Sequence, residues 1–145
     1  VEDILEWKPL KLRAEDDQDL QVFSQCLYEA IIISSEIHYN KNNKQFAMAI
    51  DRFTWENARG KGHLLMQVLS IIIINNVESV NMRELQEKNK IKNILSISNV
   101  DNNILIMLNN DEIITLKVKK WTCLLEDIGK PFMPVTIPSY SKNDL

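Results

Sequence analysis

The chain has 145 residues, of which 45% are hydrophobic and 26% charged, and a formal net charge of −3. That length suits one domain and buries roughly 70% of its unfolded surface, so a core can form without staples. The acidic balance argues against a surface built as a whole for nucleic acid or anionic membrane, and no apolar run approaches the ~18 residues of a membrane span.

Residues 1–9 read as a lead-in. Val1-Glu2-Asp3 lacks the basic start of a signal peptide, and a first residue other than Met points to residues removed upstream. Leu10-Lys11-Leu12-Arg13 alternates apolar and basic side chains, the pattern of a short edge strand. Glu15, Asp16, Asp17 and Asp19 then crowd a helix start. Carboxylates there cap free N–H groups and meet the positive end of the dipole, which explains the acidic run better than a metal site does. The helix continues to about Ala30, with Leu20, Phe23, Cys26, Leu27 and Ala30 on one stripe.

From Ile31 the apolar period falls from 3.6 to 2 and predicts a strand to Tyr39, then a turn at Lys41-Asn42-Asn43-Lys44. Phe46, Met48 and Ile50 alternate in the next strand, which extends toward Trp55. Glu56 to Gly62 reads as a polar loop. A long strand from His63 to Ile74 is expected to turn at Asn75-Asn76 and return as Val77 to Met82. Arg83 to Lys90 is charged and weakly patterned, whereas Ile91 to Ser98 alternates again.

Ile104 to Leu108 and Ile113 to Val118 form a hairpin around Asn109-Asn110-Asp111-Glu112. If Asn110-Asp111 is a two-residue turn, Leu108 faces Ile113 and Leu105 faces Leu116. The core face is then Leu105, Met107, Ile114, Leu116 and Val118; a four-residue loop is the alternative. Trp121, Leu124, Leu125 and Ile128 fall at i, i+3, i+4 and i+7 and predict a short helix over about Lys119 to Ile128. Gly129 and Pro131 would stop it, with Gly129 in the left-handed C-terminal position. This helix should plug the open side of the sheet.

The expected fold is α+β, with a single globular domain over residues 10–132 and an extended tail over 133–145. Its strands form an antiparallel meander of about seven, as a curled sheet or pleckstrin-homology-like barrel. An N-terminal helix precedes it and a C-terminal capping helix closes it. A flat sandwich with both helices on one face is the alternative. No βαβ alternation is present, which argues against a parallel sheet.

Chemistry is sparsely signalled. Cys26 and Cys123 each fall on the apolar face of an expected helix and read as small buried hydrophobes, which suits a reducing compartment. His38 and His63 are the two histidines, and no zinc-type spacing or nucleophile-elbow motif accompanies them. The densest positive cluster is Arg59-Gly60-Lys61-Gly62-His63, where glycines let backbone N–H groups converge on an anion. Arg52 lies in the strand feeding that loop, with Phe53 and Trp55 alternating on the other side. An aromatic beside cations can wall a ligand or peptide groove, although core or rim packing and a plain loop explain the same residues.

Three stretches carry a family resemblance. They are Leu10-Lys11-Leu12-Arg13-Ala14 with the helix behind it, Arg52-Phe53-Thr54-Trp55-Glu56, and Leu125-Glu126-Asp127-Ile128-Gly129-Lys130-Pro131-Phe132. In this order and spacing the chain resembles a small alphaproteobacterial family known as a domain of unknown function. The resemblance spans about Leu10 to Phe132. Phe132 stands where the family tends to carry Trp, and Arg59-Gly60-Lys61 is less Arg-rich than its usual loop. The resemblance implies a bacterial protein and brings no activity.

The reading is a cytoplasmic, non-enzymatic binding or interaction module that recognises an anionic ligand or peptide through Arg52, Trp55, Arg59, Lys61 and His63. No cofactor or metal is expected; the partner would be a protein or a small anionic ligand. One alternative is an enzyme with His63 as acid or base and Arg59 or Arg52 binding an anionic substrate. Another is a nucleic-acid-binding protein, which the net charge disfavours. Within the binding class, partner recognition by an exposed strand edge, Leu10 to Arg13 or Ile31 to Tyr39, is a further possibility. Lys41-Asn42-Asn43-Lys44 is the loop that would hold an anion in a pleckstrin-homology-like arrangement.

Overall fold

Two long strands carry the architecture. β4 (Gln67–Asn81) and β7 (Ile113–Asp127) are 15 residues each and pair antiparallel from Ser70↔Asp127 to Asn81↔Thr115. They belong to a computed structural model that describes residues 8–57, 65–83, 85 and 91–133.

Each long strand is bent by one left-handed residue, Asn76 (φ 63) in β4 and Lys120 (φ 51) in β7. Asn76 Nδ2 donates 2.8 Å to the Lys120 carbonyl, so the two irregularities sit together. An extra residue in a strand changes which side chains face inward. β7 therefore buries Ile114, Leu116 and Val118 before the bend, and Trp121, Cys123 and Leu125 after it.

This bend overturns two expectations. Asn75-Asn76 is a bulge inside β4 and not a hairpin turn, so residues 77–81 continue the same strand. The helix expected from Lys119 to Ile128 is the second half of β7. The 3.6-residue spacing of Trp121, Leu124, Leu125 and Ile128 overlapped a true alternation of Trp121, Cys123, Leu125 and Asp127, and Ile128 is 55% exposed. Pairing with β4 on one side and β1 on the other supplies hydrogen bonds that override local pattern. Gly129 is not in the left-handed region expected of it; it packs closely on β4, where a Cβ would lie 3.2 Å from Leu69 Cβ, tighter than ordinary contact.

The remaining elements are β1 (Lys11–Ala14), α1 (Asp17–Leu27), β2 (Ile31–Asn40), β3 (Gln45–Phe53), β5 (Ile94–Val100) and β6 (Asn103–Leu108). The result is mostly antiparallel sheet, with seven strands and one helix among the described residues. The sheet runs β2-β3-β4-β7-β6-β5, and β1 joins β7 beyond the reach of β6. It is open, because β2 and β5 do not pair along their lengths. It is also curled, because the segments entering those edge strands meet: Ile31 bridges Asn93, and Ile32 N–H donates 2.9 Å to the Lys92 carbonyl.

The acidic run caps the helix as expected, with Asp19 N–H donating 2.8 Å to Asp16 Oδ1. Leu20, Phe23 and Leu27 then enter one core cluster that includes side chains from every strand. Ser24 takes the place of a neighbouring strand on β5. Its hydroxyl donates 2.8 Å to the Ile97 carbonyl and accepts 2.9 Å from the Ile97 N–H. The helix at the start of the chain thus covers the sheet, in the role expected of a helix at its end.

The β6–β7 hairpin is one residue out of the expected register. Met107 pairs with Ile113 and Ile104 with Leu116, across a three-residue turn in which Asn110 and Asp111 both have φ 61. A one-residue slip exchanges the faces of a strand. Ile104, Ile106 and Leu108 are buried, and Met107 is exposed. Both faces of Ile104–Leu108 are apolar, so hydropathy did not specify the register.

Candidate functional site

Arg52 continues the buried parity of β3 after Phe46, Met48 and Ile50, and it is 0% exposed. All five of its N–H groups are used. Nε and Nη2 donate 2.8 Å to Asp127 Oδ1 and Oδ2. Nη1 and Nη2 donate 2.9 and 2.8 Å to the two Glu56 oxygens, and Nη1 also reaches the Phe53 carbonyl at 3.0 Å. Two bidentate carboxylates saturate the planar guanidinium. Arg52 is therefore not the ligand-facing cation the sequence suggested. Its charge is consumed inside the fold.

Asp127 is equally well satisfied. Ser70 Oγ donates 2.7 Å to Oδ1, and the Leu10 N–H donates 2.8 Å to Oδ2. Burial pushes the Asp127 carboxyl up, but these hydrogen bonds and the Arg52 charge outweigh it and hold the group below the usual carboxylate range. Burial alone would lower Arg52; bonds to Asp127 and Glu56 raise it instead. The cluster ties β1, β3, β4, β7 and the turn after β3 into one end of the sheet.

Trp55 opens a 3-10 turn (Trp55–Asn57) just past the end of β3. Its indole N–H donates 2.8 Å to the Tyr28 carbonyl. Its ring lies 5.7 Å from Phe53 and 6.1 Å from Tyr28 in tilted arrangements. Phe53 is buried, Trp55 is half-buried and Tyr28 is 44% exposed, so the three rings grade from core to solvent. A small cleft of ≈ 110 Å³ lies beside them, lined by Gln25, Cys26, Trp55 and Glu56. Burial pushes the Cys26 thiol up, and the carboxylates of Glu56 and Asp127 add to this against the opposing Arg52 charge. That favours the thiol over the thiolate, so Cys26 is a poor nucleophile here.

Of the five expected site residues, the structure joins Arg52 and Trp55 at one end of the sheet, Arg52 inside β3 and Trp55 in the turn that follows it. Arg59, Lys61 and His63 lie outside the described residues. Glu56, Asp127 and Ser70 were missed. The signal for them was parity: Asp127 follows Trp121, Cys123 and Leu125 at spacing two, so an acid on that face required a buried partner.

The other polar features are structural or solvated. Lys92 Nζ meets Glu112 Oε1 at 2.6 Å, both about 5% exposed, between the start of β5 and the β6–β7 turn. In the Lys41–Lys44 turn, Lys44 is paired with Glu78 at 3.1 Å. Cys26 and Cys123 are free, and burial raises the Cys123 thiol far above its ordinary value. Among the described residues, no group of three His, Cys, Asp or Glu is placed to hold a metal ion, and no helix is long and apolar enough to cross a membrane.

The chain belongs to the family described as protein of unknown function (DUF2948), whose profile matches residues 10–140. The match begins at the first of the three sequence stretches and runs past the last. No curated protein and no solved structure matches the chain.

Proposed function

We propose that this family member is a non-catalytic binding module whose recognition surface is the Tyr28–Trp55 corner together with Arg59, Lys61 and His63, which follow it in sequence. The observation that carries the reading is the state of Trp55: half-buried, with its N–H satisfied and its ring fixed between Phe53 and Tyr28. A rigid, partly exposed indole offers apolar area at little entropic cost, as binding anchors do. The Arg52–Asp127–Glu56 cluster supports it from within, and Arg59, Lys61 and His63 follow it directly in sequence. The target is then an acidic peptide segment, with Arg59 and Lys61 meeting its carboxylates and Trp55 its apolar side chain. The curled sheet supports a distant likeness to pleckstrin-homology-like barrels in strand number, and β7 in place of a closing helix departs from it. Two free cysteines support a cytoplasmic setting.

Panning a random peptide display library on the immobilised chain tests this. Acidic sequences with an apolar anchor should be enriched. Their binding should fall at least tenfold both in Trp55→Ala and in Arg59→Ala/Lys61→Ala, with folding unchanged. Enriched peptides that bind both variants as well as the parent chain would refute the reading.

A further inference from the structure

The buried guanidinium of Arg52 faces two carboxylates, so its cluster holds one negative charge in excess. The Asp127 side chain is fully buried and that of Glu56 is 32% exposed, so the excess is expressed at Glu56. Each Glu56 oxygen accepts one N–H from Arg52, Oε1 from Nη1 and Oε2 from Nη2. A carboxylate has about four lone-pair sites, so roughly half of its accepting capacity is left. Among the described residues, Arg52 is the only cation paired with Glu56.

Glu56 is also one of the four residues that line the cleft at the Trp55 corner, with Gln25, Cys26 and Trp55. The cleft's ≈ 110 Å³ is the share of about four waters in the liquid. It lies well below the ~300 Å³ at which pockets for drug-sized ligands begin, so it suits a headgroup of a few heavy atoms. The indole N–H is spent on the Tyr28 carbonyl, so Trp55 offers an occupant π surface and no donor. Phe53 and Tyr28 hold that ring in place. Burial keeps the Cys26 thiol protonated, so it adds no charge. A π surface and a carboxylate with spare lone pairs both attract a cation, and neither has a proton to give an anion.

We propose that this cleft binds an alkylammonium group, as the head of a free quaternary amine or the end of a lysyl side chain. The cation sits beside Glu56 with its alkyl carbons against the Trp55 ring. An ammonium suits the site better than a guanidinium. Arg52 already occupies the two-oxygen edge of Glu56 that a guanidinium fork requires, whereas an ammonium acts as a point charge. Gln25 stands exposed on α1 at the rim of the cleft, where a charge of either sign can be introduced without touching the core. The site uses neither Arg59 nor Lys61, so it goes beyond the acidic-peptide reading and stands or falls without it.

Nuclear magnetic resonance titration of the whole chain, read at the Trp55 indole N–H and the Cys26 backbone amide, is the test. The probes are choline, N-acetyl-lysine amide, methylguanidinium and the neutral tert-butyl isostere of choline. At least one of the two ammonium probes should shift both resonances saturably, and the tighter of them identifies the source of the group. The neutral isostere should shift neither resonance. Glu56→Gln should weaken ammonium binding at least tenfold. Gln25→Lys should weaken it by as much and Gln25→Glu should tighten it, and this opposed pair decides the matter if Glu56→Gln does not fold. Arg59→Ala/Lys61→Ala, which removes acidic-peptide binding in the reading above, should leave ammonium binding intact, so the two readings fail separately. Saturation by neither ammonium overturns the proposal. So does equal binding of the neutral isostere, tighter binding of methylguanidinium, or indifference to both Gln25 variants.

Discussion

Arg52 and Trp55 are near neighbours in sequence and end in opposite surroundings. Arg52 is charged and fully buried, with every N–H group spent on Asp127, Glu56 and the Phe53 carbonyl. Trp55 is the largest aromatic type and half-exposed, with its ring held at the rim by Tyr28 and Phe53. Strand parity decides the place of Arg52, and the end of β3 at Phe53 decides that of Trp55; hydropathy decides neither. Position 52 shares a face with Met48 and Ile50, and its charge is stable there because two carboxylates reach it. The comparison separates a structural lock from a candidate recognition surface, although both occupy the same sequence motif.

The strongest way to break that comparison is to remove the lock. Arg52→Ala leaves Asp127 buried and uncompensated and should cost about 3–5 kcal/mol of stability. Replacing both partners, as Arg52→Met/Asp127→Leu, should recover part of the loss, because no charge is left without its partner. Denaturant unfolding measures both. An Arg52→Ala midpoint equal to that of the parent chain would make Arg52 a surface residue after all.

A smaller effect comes from acid. The folded state holds the Asp127 carboxyl below the ordinary range, so it binds that proton less tightly than the unfolded chain does, whose carboxylate titrates near ~3.9. The stabilisation is complete above the unfolded value and is lost as pH falls through the folded one. Stability of the parent chain should therefore drop below about pH 4. The decline should be shallower in Arg52→Met/Asp127→Leu. Parallel curves for the two proteins would show that the cluster does not govern the acid limb.

The smallest expected effect is at the outer face. Burial raises Asp51, the reverse of Asp127. Its contribution is complete below the unfolded value and lost as pH rises through the folded one, so its charged form opposes folding at neutral pH. Asp51→Asn should raise the melting temperature slightly at pH 7 in dilute protein and leave it unchanged near pH 3. A lower melting temperature at pH 7 would show that the Asp51 charge is paired on that face, and would erase the contrast with Asp127.

Much of the fold was legible in the sequence. The acidic cap at Asp16 and the helix stripe of Leu20, Phe23 and Leu27 stand where local chemistry put them. The turn after Asn40 and the strands β1, β2, β3, β5 and β6 also lie close to their expected places, because short-range alternation and turn residues specify them. The failures cluster at β4, β7 and the β6 register. At Asn76 and Lys120 a single left-handed residue resets parity, and the reset is stabilised by the facing strand, which no local window contains. In Ile104 to Leu108 both faces are apolar, so only the turn at Asn109–Asp111 fixes the register.

The site divides in the same way. Sequence alone marked Arg52 and Trp55 as near neighbours and expected them on opposite sides of one strand by period-two alternation; the strand instead ends at Phe53 and Trp55 lies in the turn beyond it. Which side is inside depended on partners far along the chain. Asp127 is 75 residues from Arg52, and Ser70 lies on yet another strand 57 residues from Asp127. Only the pairing of β4 with β7 brings those groups within hydrogen-bond distance. A buried charge is tolerated only where such partners converge, so the tertiary structure, and not the sequence, determined that Arg52 is a lock and left Trp55 at the surface.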